Sequence, residues 1–123
     1  MEALSRWVDN LEFVNSNLSQ VDLYIQLAEE AAELSQAAAK MARHLKGSNP
    51  TCRNYSELEA SVIEEMADTW LSFKVLYFGK DYHAKLTTTQ VEKLDRWASR
   101  LKARYETEEV TPDADKLESK STE

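Results

Sequence analysis

The sequence predicts an all-α fold, a bundle of about four helices, on three observations. Two glycines and two prolines in 123 residues leave little material for the turns of a β-rich chain. Ala, Leu, Glu, Lys and Gln, which lose little on entering a helix, dominate instead. Apolar residues recur at intervals of three and four over most of the length.

The first helix is expected from about Ala3 to Val14, with Leu4, Trp7, Val8, Leu11 and Val14 as its apolar stripe and Asn15-Ser16-Asn17 as its break. The second begins after Ser19, whose hydroxyl can cap the helix with Asp22 three residues on. It runs to about Lys46, where Gly47 supplies a left-handed stop. Tyr24, Leu27, Ala31, Leu34, Ala38, Met41 and Leu45 form its predicted seam. A loop over 46–55 follows, containing Asn49-Pro50, a pair that disfavours helix. Ser56 with Glu59 repeats the capping pattern and opens the third helix, which extends to Phe78 before Gly79.

Beyond Asp68 the third helix is apolar on nearly every side: Trp70, Leu71, Phe73, Val75, Leu76, Tyr77 and Phe78. A helix apolar all round is buried all round, so in a chain this short a second subunit is expected to cover part of it. The fourth helix is expected from Thr88 or Thr89 to Tyr105, with Val91, Leu94, Ala98, Leu101 and Tyr105 as its seam. Residues 1–105 thus read as one domain.

The net charge of −7 is unevenly spread. Seven acids face Lys116 and Lys120 between Glu106 and Glu123, so that segment carries −5 and the rest only −2. Residues 106–123 are therefore predicted to be an acidic, disordered tail. A near-neutral body with such a tail argues against binding a nucleic-acid polymer. No stretch approaches the roughly 20 apolar residues that cross a bilayer, and the start has no signal-peptide pattern. With Cys52 as the one cysteine, a cytoplasmic protein without disulfides is expected.

The chemistry lies in two acid-acid-x-x-acid patterns. Helix two carries Glu29-Glu30-Ala31-Ala32-Glu33, and helix three carries Glu64-Glu65-Met66-Ala67-Asp68. Residues three apart share a helix face, which pairs Glu30 with Glu33 and Glu65 with Asp68. With Leu27 or Val62 as the seam centre, the inner acid of each pair falls about 60° off it and the outer acid about 120°. Antiparallel pairing would bring the two acidic flanks together. A lone ExxE is common on solvated faces; two at matching angles on consecutive helices weigh more toward a metal site, with solvated faces as the alternative.

Four carboxylates in one place repel one another unless a cation joins them. Oxygen-only ligands suit Mg²⁺, with Mn²⁺ also possible, and Mg²⁺ commonly bridges a few carboxylates to substrate phosphates. Such an ion neutralises a polyphosphate, orients it and acidifies a bound water.

At these residues the chain resembles a family. LAEEAAELSQA and VIEEMADTWLSF look like the two halves of the signature of the MazG-like, all-α nucleoside triphosphate pyrophosphohydrolases. That group includes MazG, the dimeric dUTPases, the dCTP pyrophosphatases and phosphoribosyl-ATP pyrophosphatase. Its ExxE, hairpin, ExxD pattern falls on Glu30, Glu33, Glu65 and Asp68, and KLDRWASRL is similar to the close of small MazG-like proteins. The resemblance covers about residues 20–101. It implies Mg²⁺ on those four residues and cleavage of a nucleoside triphosphate to the monophosphate and pyrophosphate; a homodimer or dimer of dimers is expected from the apolar end of helix three. One departure is the 31 residues between Glu33 and Glu65, long for this family.

Other residues carry weaker signals. Lys93, Arg96, Arg100 and Arg104 form a basic ridge on helix four, with Lys93 and Arg96 read as phosphate-binding. Trp7 is a candidate for stacking on a base, although a tryptophan on a seam is more often core. His44 reads as a helix-end surface residue, and His83 and Cys52 have no assigned role. A di-iron site is excluded because neither histidine has a glutamate three residues earlier. Isolated Gly47 and Gly79 exclude phosphate-cradling glycine loops, and Cys/His zinc sites lack ligands. The alternative to an enzyme is a non-catalytic helical interaction module whose acids are merely solvated.

Overall fold

A computed structural model describes residues 1–47 and 53–108. Four helices follow in order: α1 (Glu2–Asn17), α2 (Gln20–Lys46), α3 (Tyr55–Leu76) and α4 (His83–Glu108). The chain divides into two compact units, Met1–Gly79 and Lys80–Glu123. The first holds α1 to α3, the second α4. No described helix is long and apolar enough to cross a membrane.

Helix α2 starts and stops as its end signals require. The Ser19 hydroxyl accepts from the Asp22 N–H at 3.0 Å. At the far end Gly47 adopts φ 68 and its N–H donates to the His44 carbonyl, which a residue with a Cβ does only with strain. Helix α3 starts two residues earlier than a Ser56 cap would give because Asn54 is the cap; its side-chain oxygen accepts from the Glu57 N–H at 2.9 Å. It stops at Leu76, short of Phe78, and Gly79 with φ 76 turns the chain away.

Two expected breaks are absent. Helix α1 runs through Asn15-Ser16-Asn17 because Ser16 and Asn17 satisfy the carbonyls four residues back, while Asn15 Nδ2 donates to the Val75 carbonyl at 2.8 Å. That bond fastens α1 to the last turn of α3. Helix α4 begins at His83, where the Leu86 N–H already donates to the Tyr82 carbonyl, and it continues to Glu108. The Thr107 hydroxyl donates back to the Ala103 carbonyl at 2.8 Å, so residues 106–108 of the expected disordered tail are helical. The rest of that tail, and Cys52, lie outside the described residues.

Helices α2 and α3 form an antiparallel hairpin. At one end Leu23 packs with Val75 and Leu76, joined by Leu11, Leu27 and Tyr77. At the other, Ala37 and Leu58 wall the same cavity. Among the described residues the buried apolar set is only Leu23, Ala37, Leu58, Val75 and Leu76.

The α2 seam is displaced from the expected one. Leu23, Leu27, Glu30, Leu34, Ala37, Met41, His44 and Leu45 are the buried or half-buried positions; of the expected seam Leu27, Leu34, Met41 and Leu45 are among them, whereas Tyr24, Ala31 and Ala38 are exposed. Helix α2 has apolar residues on more than one face, among them Leu23, Tyr24, Ile25 and Leu27, so spacing alone does not choose the face that meets α3. Tyr24 instead reaches across to Tyr77 with a hydrogen bond that raises its own pKa. The displacement puts Glu30 within the helix interface instead of on its flank. Glu65 occupies the equivalent half-buried place on α3, in the run Leu58, Val62, Glu65, Ser72.

Candidate active site

Two glutamates in a helix interface are an expensive arrangement unless something compensates them, since burial penalises the charged carboxylate. Glu30 and Glu65 each have one carboxylate oxygen, Oε2, that is buried and has no hydrogen-bond partner. An unsatisfied buried polar atom costs roughly 1–3 kcal/mol, more if charged. The other Glu30 oxygen, Oε1, accepts from Gln26 Nε2 at 2.7 Å.

Glu33 completes the cluster. One oxygen from each of Glu30, Glu33 and Glu65 can be chosen so that all three lie within 4.8 Å of one another. Asp68 stands outside this trio, although it is half-buried and close enough that its charge acts on both Glu30 and Glu65. The structure thus brings three of the four expected ligands together and leaves the fourth beside them. Asp68 lies one turn beyond Glu65 on α3.

The electrostatics follow from the geometry. Glu30 is held above the ordinary carboxylate range first by desolvation, then by the charges of Glu33, Asp68 and Glu29, against which the Gln26 hydrogen bond acts. Glu65 is raised by desolvation, then by its hydrogen bond with Glu33, which it donates when protonated, and by the charges of Glu33, Asp68 and Glu64. The donor set is carboxylate oxygen alone, and two of its atoms lack partners. It fits a hard divalent cation such as Mg²⁺ or Mn²⁺.

A pH dependence follows with a definite sign. A carboxyl raised in the folded state binds more protons folded than unfolded, so its contribution to stability is complete below the unfolded value of about 4.5 and is lost as pH rises through the folded value. In chelator, the melting temperature of the protein is therefore expected to fall, from acid toward neutral pH, relative to a Glu30→Gln/Glu65→Gln double variant. Mg²⁺ should reverse that loss only in the parent protein. Parallel melting curves for the two proteins across pH would contradict this.

Two cavities flank the acids within the first unit. One of about 380 Å³ lies among α1, α2 and α3, with Trp7, Leu11, Leu23, Gln26, Leu71 and Ser72 in its lining. Trp7 is 42% exposed there, so it is a cavity wall and not a sealed core residue. Gln26 joins this cavity to the acids through its bond to Glu30. The second, about 300 Å³, includes Glu33, Gln36, Lys40, Arg53, Ser61 and Glu65 in its lining.

Lys93 and Arg96 lie in the other unit, exposed on α4, where they border a shallow concavity with Trp97 and Arg100. His44 is half-buried near the end of α2, and the His83 ring stacks on Tyr82 at 4.2 Å. Gln26 and Lys40 escaped the sequence reading. Their signal was present: Gln26 is four residues before Glu30 and Lys40 seven after Glu33, both face-sharing intervals. Arg53, in a loop without periodicity, gave no such signal.

In comparisons with known proteins the chain matches no family model, no curated protein and no solved structure.

Proposed function

We propose that the chain is a metal-dependent nucleoside triphosphate pyrophosphohydrolase of the MazG-like kind, with Glu30, Glu33 and Glu65 holding the cation and Asp68 beside them. One observation carries the reading: the three carboxylates converge within 4.8 Å, with buried, unpartnered oxygens on Glu30 and Glu65. A cation there would supply charge neutralisation for the polyphosphate and an acidified water. The protein's own residues do the positioning. Gln26 fixes the Glu30 carboxylate, and the interface between α2 and α3 half-buries Glu30 and Glu65. The apolar cavity beside Gln26 takes the base, with Trp7 as its aromatic wall.

The reaction adds one water across the α–β anhydride. The water oxygen bonds to one phosphorus, and the bridging oxygen leaves on the other with the electron pair of the broken bond. A proton passes to a neighbouring carboxylate and on to solvent. A homodimer or dimer of dimers belongs to the same proposal. Its support is the thin core and the apolar end of α3, where Trp70 and Leu71 are 36% and 39% exposed.

The second reading, an interaction module, draws on the exposed apolar residues of α4, Val91, Leu94, Trp97, Leu101 and Tyr105. One assay separates the two. With mixed ribo- and deoxyribonucleoside triphosphates and Mg²⁺, pyrophosphate and monophosphate should appear in equal amounts and vanish in chelator. No release from any nucleotide, together with no Mg²⁺-dependent rise in melting temperature, would leave the interaction module standing.

A further inference from the structure

We propose that Lys40 and Arg53 form the anion-holding end of the site and bind the two distal phosphates of the substrate, which depart as pyrophosphate. This rests on the pyrophosphohydrolase reading above. The cavity of about 300 Å³ has Glu33 and Glu65 in its wall together with Lys40 and Arg53. Lys40 lies two helical turns beyond Glu33 on the same face, about 10 Å further along α2. Arg53 precedes α3, and its Nη1 donates to the Ser61 hydroxyl at 3.1 Å. Ser61 in turn donates to the Glu57 carbonyl and sits one turn before Glu65. Along the chain both cations therefore lie on the same side of the acids, Lys40 toward the end of α2 and Arg53 just before α3.

Glu33 and Asp68 raise both Glu30 and Glu65 by their charge, with Glu29 adding to the first and Glu64 to the second. Lys40 and Arg53 share a polar cavity with Glu33 and Glu65. An anion reaching from the acids into that cavity meets the cations end-on. The apolar cavity adjoins the acids at the opposite end, through Gln26. The site is thus polarised: base at the α1 end, scissile bond at the acids, phosphate tail at Lys40 and Arg53. Pyrophosphate, with several acceptor oxygens on two phosphorus atoms, suits an ammonium and a guanidinium that line one cavity.

The test is direct binding of inorganic pyrophosphate in Mg²⁺, read by calorimetry, with nucleotide turnover measured in parallel. Lys40→Gln and Arg53→Gln should each weaken pyrophosphate binding roughly tenfold, the loss of one charge-assisted contact, and raise KM for the triphosphate. Arg53→Lys should keep part of the affinity, which separates charge from the Ser61 contact. Lys46→Gln, on the exposed end of α2, should bind like the parent. Unchanged affinity in both Lys40→Gln and Arg53→Gln, or no pyrophosphate binding by the parent protein, would overturn the proposal while leaving the carboxylate reading intact. Failure of that parent reading looks different: no nucleotide is cleaved by the unaltered protein, and the assignment to a substrate tail falls with it.

Discussion

Glu65→Gln should reduce pyrophosphate release by at least about a hundredfold, the scale expected when a group stabilising charge in the transition state is lost, while the helical far-ultraviolet spectrum stays as it was. The substitution keeps the shape of the side chain and removes the charge. Glu65 belongs to the oxygen trio, donates to Glu33 when protonated, and holds one of the two unpartnered buried oxygens. An amide can occupy the same half-buried place without the desolvation cost of a charged carboxylate. The metal-free variant should therefore melt no lower than the parent at neutral pH, and it should lose the Mg²⁺-dependent rise in melting temperature. Turnover within a few-fold of the parent would remove Glu65 from the site and, with it, the proposed reaction.

Leu58→Ala should cost about 2–5 kcal/mol of stability, the range for emptying a well-packed leucine site. Leu58 is 1% exposed and is the one large side chain fully buried among the described residues. With so few buried residues in the first unit, such a loss is a large share of a typical domain stability of about 5–15 kcal/mol. Ile63, one turn and a half along α3 and 63% exposed, is the comparison. Ile63→Ala should shift stability by no more than about 0.5 kcal/mol, as surface substitutions do. Urea titrations of both variants measure the difference. A loss at Ile63 as large as that at Leu58 would show that another copy of the chain covers that face.

The helices themselves were legible in the sequence because their signals are local. Ser19 with Asp22 and Gly47 with φ 68 set the ends of α2 through contacts a few residues apart. Where local chemistry offers two choices, spacing does not decide between them. Asn54 and Ser56 are both good caps, and the structure uses Asn54. Asn15-Ser16-Asn17 can break a helix or close its last carbonyls, and the Asn15 bond to Val75, sixty residues away, settles which.

The sequence by itself determined the all-helical fold, the hairpin of α2 and α3, and the glutamates that could meet across it. Tertiary structure alone decided which face of α2 turns inward. Leu23 and Ala37 went in and Tyr24 and Ala38 stayed out, because a helix apolar on several sides takes its orientation from the surface it packs against. With that face inward Glu30 lies in the interface and Lys40 lines one cavity with Glu33, Arg53 and Glu65. Spacing fixes neighbours along one helix; only packing fixes neighbours between two.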